Sequence, residues 1–263
     1  MNIVVCVKRV PDTAEAEVAI DRSGQGIDTE DLVYDINEWD AYAMEEAVLL
    51  KEQIGGTVTA VTMGSEDDEE VLRRCLALGA DNAIRLTDPA FDGADGHATA
   101  VALAAAIERI PHDLIFTGVQ ASDDGYGQVG PALARMLGMP HATLVTNLEI
   151  DGRMARVRRE LEGGLEETVE VQLPAVLTIQ TGINEPRYVS IAGIRRVARR
   201  EIPVQGVAEL GLKPDQVGAA GSRIEVEGLS LPEVGQKGEI LEGSLDAVTS
   251  QLVGIFASKG WLK

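Results

Sequence analysis

The sequence predicts an α/β protein with a doubly wound, mostly parallel sheet and a β-hairpin extension. Over the first half of the chain, four short apolar runs alternate with helical patterns, which is the rhythm of βαβ units. The first run, residues 3–7, is almost continuously β-branched, as in a strand buried on both faces of a parallel sheet. Farther along, Asp151-Gly152 separates two alternating segments and predicts a hairpin.

The other three apolar runs predict further strands of the same sheet. They are residues 57–63, 83–86 and 113–117. Each is short, and a helical pattern separates it from the next, so each fits a buried strand of a parallel sheet. Parallel strands need crossover connections, and the sheet is therefore expected to carry helices on its faces.

The helices between these strands have recognisable ends. The first is predicted to begin after Asn37, a good N-cap, and to end at Gly55. The second begins at Ser65, where acidic residues complement the positive helix terminus, and ends at Gly79. The remaining helix predictions are residues 99–110 and 128–137.

After Pro140 the pattern changes to alternating segments. Asp151-Gly152 is the first turn, and a second turn follows at residues 162–164. The strands predicted here are residues 142–150, 153–160, 167–173 and 174–179, the last of them a buried one. These segments form the hairpin extension of the sheet.

The last part of the chain predicts an extended arm. Three prolines and several glycines interrupt it, and only residues 245–256 have apolar side chains at helical spacing. A segment of this length with little packed structure usually wraps another molecule. We therefore expect an α/β domain at residues 1–202 and a C-terminal arm at residues 203–263.

Composition limits the function classes. Lys and Arg number 23 against 43 Asp and Glu, which gives a formal charge of −20 and disfavours binding to nucleic acid or anionic lipid. No apolar run is long enough for a membrane span, which needs about 20 residues. The first residues show no secretory signal, and Cys6 and Cys75 lack a disulfide framework. We expect a cytoplasmic protein with both thiols reduced and buried.

The most informative candidate site is the loop at residues 118–130. It follows a predicted strand at the carboxyl edge of the sheet, where ligands bind in such folds. Its glycines and the following helix start offer unpaired backbone N–H groups that suit a phosphate. The alternative is that the loop is only a glycine-rich connection without a ligand, because it matches neither a P-loop nor a dinucleotide fingerprint. Asp123 and Asp124 argue against ATP.

Side-chain catalysis is not indicated. The three histidines, His97, His112 and His141, have no ligand spacing, and neither a nucleophile elbow nor a Cys/His site stands out. A cluster of arginines at residues 195–200 is unusual on so acidic a chain. It is either a solvated helix face or a basic patch, anchored by isoleucine, for an acidic partner or a flavin phosphate.

Three segments carry a family resemblance. They are Val157-Arg158-Arg159-Glu160-Leu161-Glu162-Gly163-Gly164, then Val169-Glu170-Val171-Gln172-Leu173-Pro174-Ala175-Val176, and Ile183-Asn184-Glu185-Pro186-Arg187-Tyr188. They resemble the signature region of the β subunit of electron transfer flavoprotein. The opening residues 7–12, the helix around residues 45–47 and the loop at residues 120–131 also fit, so the resemblance covers residues 1–202.

The resemblance implies an obligate heterodimer with a larger α subunit that holds the redox-active FAD, while this subunit binds AMP. It also implies a fold similar to adenine-nucleotide hydrolases and a recognition segment for a dehydrogenase at residues 184–200. The implied nucleotide-binding residues are Cys6, Asn37, Glu38, Trp39, Asp40, Met63, Gly118, Gln120, Ala121, Ser122, Asp123, Asp124, Gly125, Tyr126, Gly127, Gln128 and Val129. The implied partner-binding residues are Tyr188, Ile191, Ile194, Arg196 and Arg199.

The family's role implies an electron carrier that needs no acid or base from this chain. Electrons would pass through FAD from an acyl-CoA dehydrogenase-type flavoenzyme to a membrane quinone oxidoreductase. One branch of the family instead binds a second FAD in this subunit and bifurcates electrons from NADH. The loop resembles that branch at residues 128–131 and the AMP form at residues 123–125, and we favour AMP. Rivals from other classes are a stand-alone nucleotide-binding module and a nucleotide-hydrolysing enzyme.

Overall fold

The computed structural model describes residues 1–14, 18–232 and 238–262. Contacts divide the chain into two compact units, Met1–Glu227 and Gly228–Lys263. The strands are β1 (Asn2–Cys6), β2 (Arg9–Pro11), β3 (Tyr34–Ile36), β4 (Thr57–Met63), β5 (Asn82–Leu86), β6 (Leu114–Gly118), β7 (His141–Asp151), β8 (Met154–Leu161), β9 (Leu165–Gln172), β10 (Ala175–Ile179) and β11 (Val204–Gln205). The helices are α1 (Glu38–Ile54), α2 (Glu69–Leu78), α3 (Gly96–Ile107), α4 (Val129–Leu137), α5 (Ile191–Val197), α6 (Val207–Leu210), α7 (Gly218–Gly221) and α8 (Leu245–Ser258).

The first unit is built on one large sheet. Within the described residues it has nine strands in the order β11-β5-β4-β1-β6-β10-β7-β8-β9. Every pair from β11 to β7 is parallel, whereas β8 and β9 add antiparallel strands through turns at the predicted positions. The predicted mostly parallel sheet with a hairpin extension is confirmed.

The central strands are buried on both faces, which explains the continuous apolar runs. In β1, Ile3 and Val5 belong to one core, and Val4 and Cys6 belong to the other. Helices α1 and α2 contribute to the first core, whereas α3 and α4 contribute to the second, so the sheet is doubly wound as predicted. Cys6 and Cys75 are free and buried, as expected.

The start of the second helix differs from the prediction. Ser65 does not open α2, which begins at Glu69. Instead, the backbone N and the Oγ of Ser65 donate hydrogen bonds of 2.7 and 2.8 Å to Oδ2 of Asp68. A local side-chain contact therefore forms a turn where the sequence pattern predicted the first helical turn.

The third helix is also displaced along the sequence. It runs over Gly96–Ile107 rather than residues 99–110, because Asp95 is the N-cap and its Oδ1 accepts the backbone N–H of Ala98 at 2.8 Å. In addition, the antiparallel pair of β2 and β3 was not predicted. These strands are three residues long, too short to give a clear alternating pattern.

The beginning of the predicted arm packs with the first unit. β11 pairs in parallel with β5 at the sheet edge, and Val207, Leu210 and Val217 are buried in the second core. By its contacts, the first unit extends to Glu227. Prolines and glycines interrupt this segment, but several of its apolar side chains are nevertheless buried in the second core.

The second unit contains α8, which confirms the predicted closing helix. Ser244 caps it, with Oγ accepting the N–H of Ala247 at 3.3 Å, and the rings of Phe256 and Trp261 lie 5.7 Å apart. Residues 233–237 and 263 of the predicted arm lie outside the described residues. In the described part of the chain, no helix is both long and apolar enough to cross a membrane.

Candidate functional site

The order of the strands creates a crevice at one end of the sheet. From β1 the chain moves outward to β4 and β5, then returns to β6 on the other side of β1. The carboxyl ends of β1 and β6 therefore flank a topological switch point, where open α/β sheets bind their ligands. Lys8 follows β1 at this point, and the loop predicted to bind phosphate follows β6.

Asp40 joins the two strand ends beneath the crevice. Its Oδ2 accepts the backbone N–H of Lys8 and its Oδ1 accepts that of Gly118, both at 2.8 Å. Gly118 has no room for a side chain, since a Cβ there would lie 2.6 Å from both Asp40 and Trp39. Burial raises the pKa of the Asp40 carboxyl to about 7, although the two backbone hydrogen bonds oppose the rise.

Asn37 fixes the loop from the start of α1. It occupies the predicted N-cap position, but its side chain does not cap the helix. Instead, Nδ2 donates to the carbonyl of Gln120 at 2.8 Å, and Oδ1 accepts the backbone N–H of Ser122 at 3.1 Å. An amide supplies both the donor and the acceptor that this bridge needs. The Asn37 side chain is buried, so these two hydrogen bonds belong to the interior of the fold and not to its surface.

Lys8 is a residue that the structure places at the candidate site and that the sequence interpretation did not include there. Its Nζ lies 2.7 Å from a carboxylate oxygen of Asp123 and 2.9 Å from Oδ2 of Asp124. Burial lowers the pKa of the ammonium, but hydrogen bonds and charge attraction from both carboxylates outweigh that effect and raise the pKa above its usual value. The signal in the sequence was a lysine directly after the first strand, at the carboxyl edge.

The start of α4 faces the crevice with unpaired donors. Among the described residues, none accepts a hydrogen bond from the backbone N–H groups of residues 127–130, whereas Ala132 donates to Gln128 at 3.0 Å. Gly130 brings the helix against the sheet, because a Cβ there would lie 2.4 Å from Cγ2 of Thr178 and 2.8 Å from Oγ1 of Thr117. Unpaired N–H groups and the positive end of the helix dipole suit an anion.

Two glycines give the loop its path. Gly125 has a φ of 64° and donates its N–H to the carbonyl of Ala121 at 2.8 Å, which closes a turn. Gly127 has a φ of 60°, and a Cβ there would lie 3.2 Å from the carbonyl oxygen of Val119. Both conformations favour glycine. Tyr126, between them, is 45% exposed.

The remaining predicted site residues differ in how deeply they are buried. Cys6 is buried at the end of β1, and burial, followed by the nearby Asp40 carboxylate, raises its pKa, so the thiol stays neutral. Trp39 Nε1 donates to Oε1 of Gln180 at 2.8 Å. Met63 is half-buried at the end of β4 and packs against the second core, while Glu38 is exposed in the first turn of α1.

A second candidate surface is the docking segment, residues 184–200. Tyr188, which precedes α5, is fully exposed. Ile191 and Ile194, in the first turn of α5, are 70% and 50% exposed. Arg196 and Arg199 are exposed beside them. Apolar side chains with adjacent arginines on the surface are typical of protein interfaces.

Fold and site together define a doubly wound α/β protein with a candidate ligand site at its switch point. The model for the electron transfer flavoprotein domain matches residues 26–210. Electron transfer flavoprotein subunit beta of Thermoanaerobacterium thermosaccharolyticum is 41% identical over 254 residues, with 96% of each chain covered. The subunit of the same name from Methylophilus methylotrophus is 38% identical over 259 residues, with 97% of each chain covered.

A third relative has a different name. The caffeyl-CoA reductase-Etf complex subunit CarD of Acetobacterium woodii is 38% identical over 261 residues, covering 98% of this chain and 97% of that one. These matches span nearly the whole chain. The chain belongs to the electron transfer flavoprotein family, among the β subunits, as the signature segments indicated. Its class of function is electron transfer.

Proposed function

We propose that this chain is the β subunit of a heterodimeric electron transfer flavoprotein that binds AMP at the switch-point site. The FAD resides mainly in the α subunit and supplies the redox chemistry, taking electrons from acyl-CoA dehydrogenase-type flavoenzymes and passing them to a quinone oxidoreductase. The observation that carries the proposal is the row of unpaired N–H groups at residues 127–130 in the crevice between β1 and β6.

The donor set fits a single phosphate group. Several unpaired backbone N–H groups lie at the positive end of α4, a combination that can stabilise a dianion without a metal ion or a side-chain acid. Asp123 and Asp124 add negative charge next to the phosphate, and Lys8 neutralises much of it. A longer polyphosphate would bring more negative charge close to both carboxylates, so the loop favours a monophosphate.

Buried and half-buried residues shape the rest of the site. Asp40 and Asn37 hold the loop and the strand ends in a fixed arrangement before a ligand arrives. Met63 and Trp39 present apolar surface near the ends of the strands, which suits the adenine part of a nucleotide. In this proposal the chain binds and orients the nucleotide, and none of its residues takes part in proton transfer.

The second unit is proposed as the arm that holds the α subunit. Four large apolar side chains in it are strongly exposed: Leu231, Ile240, Leu245 and Trp261. No residue of α8 is buried. An exposed apolar helix of this kind is typical of a protein interface. Because β subunits of this family pair with an α subunit, the α subunit is the partner proposed for it.

A second FAD in place of AMP is the other candidate for the same site. Residues 128–131 read Gln-Val-Gly-Pro, which resembles the bifurcating branch, and the relative from Acetobacterium woodii is a subunit of a caffeyl-CoA reductase-Etf complex. In that case NADH would be the electron donor to test.

Nucleotide content tests the proposal. The chain is co-expressed with its α subunit, the purified heterodimer is denatured, and released AMP and FAD are quantified by chromatography with absorbance detection. One FAD and one AMP per heterodimer support the carrier role. Two FAD without AMP support the bifurcating form, and the absence of both nucleotides from a native heterodimer overturns the proposal.

A pair of lysine variants links that content to the site. Lys8→Gln leaves Asp123 and Asp124 without their cation, and we expect the AMP affinity to fall about 10- to 100-fold, as for the loss of a charged hydrogen-bonding group. The matched control is Lys51→Gln at the end of α1, where Lys51 binds Asp81 at 2.7 Å. Equal AMP affinity in both variants would contradict a role for Lys8.

A further inference from the structure

The docking segment is tied to the body of the protein at both ends. At its beginning, Arg187 donates from Nε to both carboxylate oxygens of Glu45 at 2.9 Å and from its two Nη atoms to Glu52 at 2.7 and 3.0 Å. Asn184 donates from Nδ2 to the carbonyl of Tyr42 at 3.1 Å. These contacts fix the approach of the chain to α5 against α1.

The helix α5 rests on α2 through its small and buried positions. A Cβ at Gly193 would lie 3.2 Å from the carbonyl oxygen of Ala77, so the two helices are close at this point. Val197 is buried in the first core. Ile191 and Ile194 consequently face outward, as a docking surface requires.

Arg73 of α2 fixes the other end of α5. Its Nη1 donates to the carbonyls of Val197, Ala198 and Arg200 at 2.9, 3.1 and 3.2 Å. These groups lie at and just after the C-terminus of α5, where helical carbonyls have no partner within the helix. The Val197 carbonyl also accepts the backbone N–H of Arg200 at 2.9 Å, so Arg73 adds a second donor there and supplies a donor to the carbonyls of Ala198 and Arg200. Its positive charge opposes the negative end of the helix dipole.

Arg73 is itself held in place. Its Nη2 binds Oε1 of Glu69, one turn earlier on α2. The other oxygen of that carboxylate lies 3.9 Å from Nη2 of Arg85, whose side chain is only 10% exposed. Because Glu69 lies between two guanidinium groups, the Arg73 side chain keeps one orientation toward α5.

We propose that Arg73 is a positioning residue for docking of the partner dehydrogenase. It holds the last turn of α5, which carries Arg196, and the following Arg199 in the geometry that the partner meets. A surface that is ordered before binding loses less conformational entropy on association. This inference rests on the proposed function, because it takes residues 184–200 to be the surface that meets the dehydrogenase.

The test compares three variants in the complete heterodimer. Arg73→Ala removes the contacts to the three carbonyls, and Arg73→Lys keeps a cation that can restore part of them. Arg74→Ala is the matched control, because Arg74 is the next residue of the same helix and binds Asp35 instead. AMP and flavin content and the thermal unfolding temperature are recorded for each, to show that the heterodimer is intact.

Electron transfer is measured from an acyl-CoA dehydrogenase of the source organism, reduced by its acyl-CoA substrate. With Arg73→Ala we expect the KM for the heterodimer to rise about tenfold, which is about 1.4 kcal/mol, with kcat within about twofold of the wild type. Arg73→Lys should recover part of the increase, and Arg74→Ala should match the wild type. An unchanged KM in Arg73→Ala overturns the inference.

Limited digestion with trypsin separates this inference from the proposed function. We expect Arg73→Ala to speed cleavage after the arginines at 195, 196, 199 and 200 about tenfold relative to Arg74→Ala, because the last turn of α5 loses its anchor. Equal cleavage rates overturn the positioning role. If the wild-type heterodimer accepts no electrons from the dehydrogenase, the proposed function fails, while the digestion still decides whether Arg73 holds α5.

Discussion

Protonation of Asp40 should make the stability of the first unit depend on pH. The carboxyl has a pKa of about 7 in the folded chain against 3.8 as its ordinary value, because it is buried. The folded state therefore binds this proton more tightly than the unfolded state. The stability that this difference contributes is fully present below about pH 4 and is lost as the pH rises through 7.

The size of the effect follows from the two pKa values. A difference of about three pH units corresponds to about 4 kcal/mol in the free energy of unfolding, at 1.36 kcal/mol for each unit. Asp40→Asn removes the titration. It also replaces one acceptor by an N–H group that faces the backbone N–H of Lys8 or Gly118, at a cost of about 1 to 3 kcal/mol.

The assay is urea unfolding followed by circular dichroism between pH 4 and pH 8, in the absence of nucleotide. We expect the free energy of unfolding to fall more steeply with rising pH in the wild type than in Asp40→Asn. At pH 4 the variant should be the less stable protein. At pH 8 the difference in stability should be smaller or reversed. Asp35→Asn, at a half-exposed carboxylate paired with Arg74, should follow the wild-type curve. Parallel curves for the wild type and Asp40→Asn would refute the reasoning.

Three other variants probe the loop, the start of α4 and α8. Asn37→Asp removes the donor to Gln120, and we expect weaker AMP binding by about 1 to 3 kcal/mol in calorimetry; an unchanged Kd would count against the bridge. Gly130→Ala forces α4 away from the sheet and should weaken AMP binding at least about tenfold, whereas Gly254→Ala, in open space on α8, should not. Leu245 is 84% exposed, and Leu245→Asp should weaken association with the α subunit about tenfold in sedimentation measurements. The stability of the isolated chain should not change. Unchanged association would exclude this part of the arm from the interface.

The sequence was sufficient for the parts of the fold that depend on local pattern. Residues 57–63 match β4 at both ends, and the turn at Asp151-Gly152 joins β7 to β8, because apolar runs and turn residues report directly on strands and hairpins. The loop after β6 was found for the same reason. Its glycines and its location after a strand are both local features.

Contacts between distant residues were the parts that the sequence did not reveal. Lys8 binds Asp123 across 115 positions of sequence, and the pattern around either residue gives no sign of the other. Asn37 was predicted as an N-cap and occupies that position, but tertiary partners take its side chain. Similarly, β11 pairs with β5 through backbone groups, which composition does not encode.

The two ends of the large sheet bear on how the chain avoids associating with itself. Strand edges present unpaired backbone groups that can pair with another copy. The β11 edge is only two residues long and follows Pro203, and both features shorten the available template. The opposite edge, β9, carries Glu166, Glu167 and Glu170, all exposed. Arg158 and Arg159 of β8 pair with the first two at 3.4 and 3.6 Å, so Glu170, which forms no ion pair among the described residues, is the carboxylate that would repel a second copy there. Both edges of the sheet therefore carry features that oppose edge-to-edge pairing between two copies of the chain.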